Sequence, residues 1–275
     1  MSRERLSGKR ALVTGGGRGI GAAEGAAVAV NYVADAASAE SLVNELRGNG
    51  TPTAAFQADV SDPAETSRLV EAVVQEFGGL DVLASNAGVE YFGPLESITP
   101  ADFDRVFGIN VGGQLFITQA AAAVMEPGSR ILLTSSVSAR IGVYRHSLYA
   151  ASKAAVSAMT LNLAPELAER GIAINAIAPG GTATDMAAEH AASYTPPALR
   201  DVAPTKVIES MNALGRLAEP DEIAAVAAFL LSRDASYLTG STVDAAGGDG
   251  CRPATRWSAP AAGTGNASHD FLEAI

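Results

Sequence analysis

Apolar and polar positions alternate along most of this chain in a way that separates strands from helices. Short runs rich in β-branched and other apolar residues fall near 10–14, 26–31, 53–58, 80–84, 129–134, 172–178 and 241–245, with helical periodicity between most of them. That alternation predicts an α/β fold with a parallel sheet of about seven strands covered on both faces. Several helix starts are marked. Asp62-Pro63-Ala64-Glu65 combines a cap, a proline at the first helical position and a returning carboxylate. Leu69, Val70, Val73, Val74 and Phe77 then trace a buried stripe, and Gly78-Gly79 ends it. Thr99-Pro100 and Glu219-Pro220 open two further helices.

The pattern predicts one domain over residues 1–250. Within it, 181–215 carries Pro196, Pro197 and Pro204 among small and polar residues, and reads as a mobile segment that covers a site. After Gly250 the periodicity is lost, so 251–275 reads as a poorly ordered tail. One crossover is anomalous. Nine residues separate Gly21 from Asn31, which confines the first crossover helix to Ala22 through about Gly25. Parallel strands ordinarily need a connection of about a dozen residues or more. A one-turn helix there predicts weaker nucleotide binding or a displaced second strand.

Composition narrows the function. Across 275 residues, 48% hydrophobic and 18% charged content fits a folded globule, and a net charge of −11 argues against a nucleic-acid or anionic-membrane surface. The lone cysteine, Cys251, allows no internal disulfide and no cysteine metal cluster, and no histidine cluster suggests a metal. The N-terminus lacks a signal-peptide core, and the longest strongly apolar run, Ile223 to Leu231, is far short of the ~20 residues of a membrane span. The expectation is a cytoplasmic chain with no membrane partner.

The chemistry concentrates in Y-A-A-S-K. Tyr149 and Lys153 lie four residues apart, on one helix face, with Ser136 thirteen positions upstream at a strand end. A nearby ammonium favours phenolate, which makes the phenol a better acid near neutral pH, and the serine hydroxyl can bond the substrate oxygen. Alone, this spacing is commonly surface packing. Upstream, T-G-G-G-R-G-I-G directly follows the first strand. There Gly15, Gly19, Ile20 and Gly21 place backbone amides at a helix start, where a pyrophosphate binds. At the end of the second strand stand Asn31 and Tyr32 rather than a carboxylate, and Arg18 lies in the glycine turn. A 2′-phosphate would meet an arginine and no repulsion, which favours NADP(H) over NAD(H), the lesser reading being that Arg18 is simply a solvated loop residue. Asp59-Val60 could meet the adenine edge or serve only as a helix cap. Asn86, Ala87 and Gly88 offer a tight turn beside a cofactor or simply a turn.

Together these motifs resemble the short-chain dehydrogenase/reductase family over roughly 9–248. They are T-G-G-G-R-G-I-G, D-V at 59–60, S-N-A-G at 85–88, G-I-N-V-G-G, Ser136, Y-A-A-S-K, P-G-G-T-A-T at 179–184 and L-T-G-S-T-V-D. V-N-Y at 30–32, F-D-R-V-F-G-I-N and P-G-G-T-A-T-D-M look like fungal hydroxynaphthalene reductases and polyketide ketoreductases. The resemblance implies a single doubly wound Rossmann domain with strand order 3-2-1-4-5-6-7. It makes Tyr149 the general acid in ketone reduction and assigns Lys153 to lowering its pKa and holding the nicotinamide ribose. It further implies that Ser136 polarises the carbonyl, Asn110 positions a relay water, and Pro179, Gly180, Thr182 and Thr184 grip the nicotinamide amide. A small-molecule ketone or quinone-like substrate and a homo-oligomer, tetramer or dimer, follow from the same resemblance. An NAD-dependent alcohol dehydrogenase and a catalytically silent nucleotide-binding protein remain as alternatives. Tyr144 and His146 could line the pocket or be plain loop residues, while His190 and His269 read as solvated.

Overall fold

A computed structural model of the chain describes residues 5–15, 26–48 and 50–248. Seven strands form one sheet in the order β3-β2-β1-β4-β5-β6-β7, and every neighbouring pair is parallel. They are β1 (Arg10–Thr14), β2 (Ala27–Tyr32), β3 (Thr53–Gln57), β4 (Val82–Ser85), β5 (Arg130–Thr134), β6 (Ala173–Pro179) and β7 (Thr242–Ala245). Each begins within about two residues of its expected start.

Side chains along each strand alternate between two cores, as a pleat requires. Leu12, Leu83, Ile131, Leu133 and Ile174 face one core with α2 (Pro63–Phe77), α4 (Gln114–Val124) and α5 (Ser147–Ala168). Ala11, Val13, Val28, Val82 and Leu132 face the other with α1 (Ala36–Gly48) and α8 (Pro220–Leu231). Both faces are covered, so the sheet is doubly wound. On the second face a narrow apolar cleft lies between the sheet and α8, lined by Val13, Val82, Leu132, Ile177, Ala227 and Leu231.

Local signals explain the helix bounds. Asp62 caps α2 by accepting from the amides of Ala64 and Glu65, and Gly78 closes it in the left-handed conformation, φ 77°. The Glu65 carboxylate does not return to the cap residue. It reaches back to the Asp59 amide at 2.6 Å and ties the helix to the end of β3. Thr99 and Asp102 form a reciprocal capping box at the start of α3 (Pro100–Phe107), as Glu219 and Glu222 do for α8.

Between α3 and α4 the helix widens into a π-helical turn, Gly108–Gly113. By length and composition the continuous run Pro100–Val124 could cross a membrane. However, 44% of its most apolar stretch is buried within the fold, where it packs on α2 and α5, so it is a core helix. The segment 181–215 is not a bare loop. It winds through α6 (Asp185–His190), two 3₁₀ turns at 191–194 and 197–199, and α7 (Pro204–Glu209). Twelve residues, 15–26, join β1 to β2, and the two strands pair in parallel register from Arg10 with Ala27 onward. The crossover expected at 22–25 and the tail 251–275 lie outside the described residues.

Candidate active site

The carboxyl ends of β1, β4 and β5 meet at one point, where backbone turns and side chains interlock. The Thr14 hydroxyl, fully buried, accepts from the amides of Asn86 and Ala87 at 3.0 and 3.2 Å. Gly15, at φ 62°, lies against Ala87, and Gly88 stands beside Asn110 and Lys153. A glycine is required at Gly15, because a Cβ there would come within 2.8 Å of the Ala87 Cα.

Asn31, expected beside a cofactor ribose, is fully buried. Its Oδ1 accepts from the Gly15 amide at 3.4 Å, and its Nδ2 donates to the Ala58 carbonyl at 2.9 Å. It therefore braces Gly15 and joins it to the end of β3. Tyr32 is partly buried against the α1 core. Asp59 is exposed and caps the Ser61 amide, whereas Val60 is buried and packs where a Cβ on Gly113 would fall 3.0 Å from its Cγ2. Arg18, Gly19, Ile20 and Gly21 lie outside the described residues.

The π-helical turn presents Asn110 with its side chain completely engaged. Oδ1 accepts from the Val89 amide at 2.8 Å, while Nδ2 donates to the Val89 carbonyl at 2.9 Å and to Ser152 Oγ at 3.0 Å. Ser152 in turn donates to the Tyr149 carbonyl, so Asn110 joins the loop after β4 to α5. Gln114 brackets the end of β5, accepting from the Thr134 amide and donating to its carbonyl. That carbonyl also accepts from Lys153 Nζ at 2.9 Å. The sequence reading did not single out Thr14, Gln114 or Ser152. The positional signal was adjacency to a selected residue for Thr14 and Ser152, and a four-residue helical step from Asn110 for Gln114.

On α5, Lys153 places its ammonium 5.5 Å from the centre of the Tyr149 ring, on the side where the helix meets β5. Burial lowers the Lys153 pKa to about 8, although the nearby Glu90 carboxylate favours the ammonium. Tyr149 keeps some surface open but is densely surrounded. Burial first, and Glu90 second, push its phenol above the ordinary tyrosine value, while a hydrogen bond with Ser136 opposes them. The lowering expected from Lys153 is therefore not found here: burial and Glu90 set the direction, and the opposing influence comes from Ser136. Ser136, 8% exposed, lies in extended backbone immediately after β5.

Beyond β6, Pro179 pairs with Ala245, Thr182 donates to the Gly180 carbonyl at 3.1 Å, and Thr184 caps α6 by accepting from the Ala187 amide. Tyr144 is exposed beneath the Arg145 guanidinium, whereas His146 is fully buried against Tyr149. His190 is not simply solvated, since its ring lies 5.9 Å from Phe92. Among the described residues no group of three or more His, Cys, Asp or Glu could hold a metal.

The family described as enoyl-(acyl carrier protein) reductase matches residues 20–249. Versicolorin reductase 1 of Aspergillus parasiticus is 40% identical over 254 residues, covering 89% of this chain and 97% of that protein. The chain belongs to the short-chain dehydrogenase/reductase family. Another member, a hydroxynaphthalene reductase of Aspergillus fumigatus, is 41% identical over 245 residues, 86% of this chain and 90% of its own. A short-chain dehydrogenase from Burkholderia cenocepacia, solved in complex with NADP, superposes with a TM-score of 0.80 at 38% identity. That match covers 89% of this chain and 98% of the other.

Proposed function

We propose that this protein is an NADPH-dependent carbonyl reductase acting on a ketone or quinone-like small molecule. The observation that carries the reading is the convergence of Ser136, Tyr149 and Lys153 with the Gly15 and Gly88 turns at the carboxyl edge of one parallel sheet. Relatives named as reductases of versicolorin and of hydroxynaphthalene, and a structural neighbour that binds NADP, support the same class and cofactor.

The residues fit a dinucleotide. At Gly15 a Cβ would strike Ala87, and at Gly88 a Cβ would lie 3.2 Å from Asn110 Oδ1 and 3.4 Å from Lys153 Nζ, so both glycines let the turns after β1 and β4 close tightly at the carboxyl edge of the sheet, where parallel sheets bind dinucleotides. Gly15, Asn86, Ala87, Gly88 and Lys153 would hold it, with Pro179, Gly180, Thr182 and Thr184 at the nicotinamide end. A reduced nicotinamide bound there supplies a hydride. Ser136 bonds the carbonyl oxygen and Tyr149 Oη gives it a proton, while Lys153 stabilises the phenolate left behind. Asn110, committed through its side chain to Val89 and Ser152, keeps the loop and the catalytic helix in register.

A homo-oligomer belongs to this reading, supported by Phe116 and Val124 on α4 and Leu161 on α5, which remain exposed. So does a cytoplasmic location, supported by the single cysteine. A second reading, a nucleotide-binding protein without turnover, rests on the twelve-residue connection between β1 and β2, which is at the lower limit for a parallel crossover. NADPH and NADH oxidation across a ketone panel decides between them. Turnover with NADPH supports the reductase, faster turnover with NADH would reassign the cofactor, and saturable NADPH binding without turnover would favour the silent protein.

A further inference from the structure

The loop after β4 carries a carboxylate for which this chemistry has no use. Glu90 follows Val89, the residue gripped by Asn110, and its side chain is only 4% exposed. A buried anion is costly unless it organises its surroundings. Glu90 ties two other stretches of chain to its own loop. From the covering segment, Tyr194 donates its hydroxyl to Glu90 Oε1. From the start of α5, His146 brings Nε2 to 3.2 Å from the same oxygen, but off the line of a ring N–H, so the contact is electrostatic rather than a directed hydrogen bond.

His146 is itself sandwiched. Its ring lies 4.2 Å from that of Phe92 and 4.4 Å from that of Tyr149, at interplanar angles of 7° and 14°. Tyr194 closes the stack edge-on, 4.8 Å from Phe92 and 5.7 Å from His146. A backbone bond from Gly93 N to the Arg145 carbonyl stitches the two loops, and Arg145 holds an uncommon φ of 57° where the chain turns into α5. The charged and titratable groups around Tyr149 are therefore Glu90 from the β4 loop, His146 and Lys153 from its own helix region, and Tyr194 from the covering segment. Ser136 adds a hydroxyl from the β5 loop.

Resting on the reading of Tyr149 as proton donor, we propose that Glu90 is a positioning residue. Through Tyr194 it fastens the 185–209 segment over the site, and through His146 it fixes the ring of Tyr149. A carboxylate so placed also repels a phenolate, so it holds the proton on Tyr149 to higher pH and prolongs the proton-donating form.

The test uses the full chain and its Glu90→Gln, Glu90→Ala and Tyr194→Phe variants. Trypsin cleavage after Arg200 and Lys206, both exposed in the covering segment, needs no turnover. Glu90→Ala and Tyr194→Phe are expected to be cut there about fivefold faster than wild type, and Glu90→Gln, which keeps an acceptor oxygen, near the wild-type rate. Should Glu90→Ala fail to fold, Tyr194→Phe carries the same comparison. In alcohol oxidation, where the phenolate is required, Glu90→Gln is expected to move the rising limb of kcat against pH downward with little change in KM. Wild-type cleavage in Tyr194→Phe together with an unmoved limb in Glu90→Gln overturns the proposal. If the wild-type chain turns over no carbonyl, the reductase reading fails and cleavage alone decides whether Glu90 fastens the segment.

Discussion

Gly15 and Ala87 stand so close that a Cβ on the glycine would fall 2.8 Å from the Ala87 Cα. The turn after β1 and the turn after β4 are therefore held against each other by backbone, with Thr14 bonding both amides of the second turn. Gly15→Ala meets a steric clash and a left-handed φ of 62° together. We expect it to cost about 1–3 kcal/mol, a fall of several degrees in melting temperature, and to weaken NADPH binding. Thermal melts and fluorescence titration of NADPH check both; unchanged values would mean that the two turns do not form the cradle.

Tyr149→Phe removes the hydroxyl while keeping the ring that stacks on His146. Loss of a general acid commonly costs about 10²- to 10⁴-fold, and we expect kcat for ketone reduction to fall in that range with NADPH binding nearly intact. Equal losses in binding and kcat would point to a packing role instead.

Lys153 is buried, 3% exposed, with its pKa lowered by burial to about 8. The unfolded lysine keeps its proton to higher pH than the folded one. The penalty for burying the charge is thus complete below pH 8 and is relieved as pH rises from there toward the ordinary lysine value. Lys153→Met is expected to abolish activity yet raise the melting temperature at pH 7 by a few degrees, with the gain shrinking above pH 8. Melts of both proteins from pH 6 to about 10 test the sign.

At the other end of the sheet, Asp81 accepts from Arg10 Nε at 2.7 Å and from the Arg10 amide at 2.9 Å. The guanidinium hydrogen bond holds its pKa below the usual carboxylate range. A depressed carboxylate stabilises the fold above the unfolded pKa, and that contribution is lost as pH falls through the folded value. Asp81→Asn should therefore lower stability at neutral pH and flatten the decline as pH falls below the ordinary aspartate range. Acid titrations of unfolding followed by circular dichroism check this.

Much of the scaffold could be read from sequence because its signals are local. Strand runs, the Asp62 and Thr99 caps and the glycine stop at Gly78 each act within a few residues, and each stands where it was expected. The proposed catalytic trio could be picked out because Tyr149 and Lys153 share a helix face. The Glu90, His146 and Tyr194 cluster could not, since its members lie 56 and 48 residues apart and meet only through three different loops. One faint sign existed, a lone carboxylate set among Val89, Tyr91 and Phe92 directly after the N-A-G turn. Asn31 was read from its position alone. Its place at a strand end suggested a ligand, but its pleat parity turns the side chain inward to Gly15 and Ala58.

The widened turn at Gly108–Gly113 has a bearing on how this chain can change over time. A π-turn holds one residue more than the α-turn it replaces, so losing a single position there would rotate everything after it by about 100° relative to everything before. Asn110 and Gln114 would then stop addressing Val89 and Thr134 together. Insertions and deletions should accordingly be purged between 108 and 113, while the exposed turns at 200–203 can absorb them.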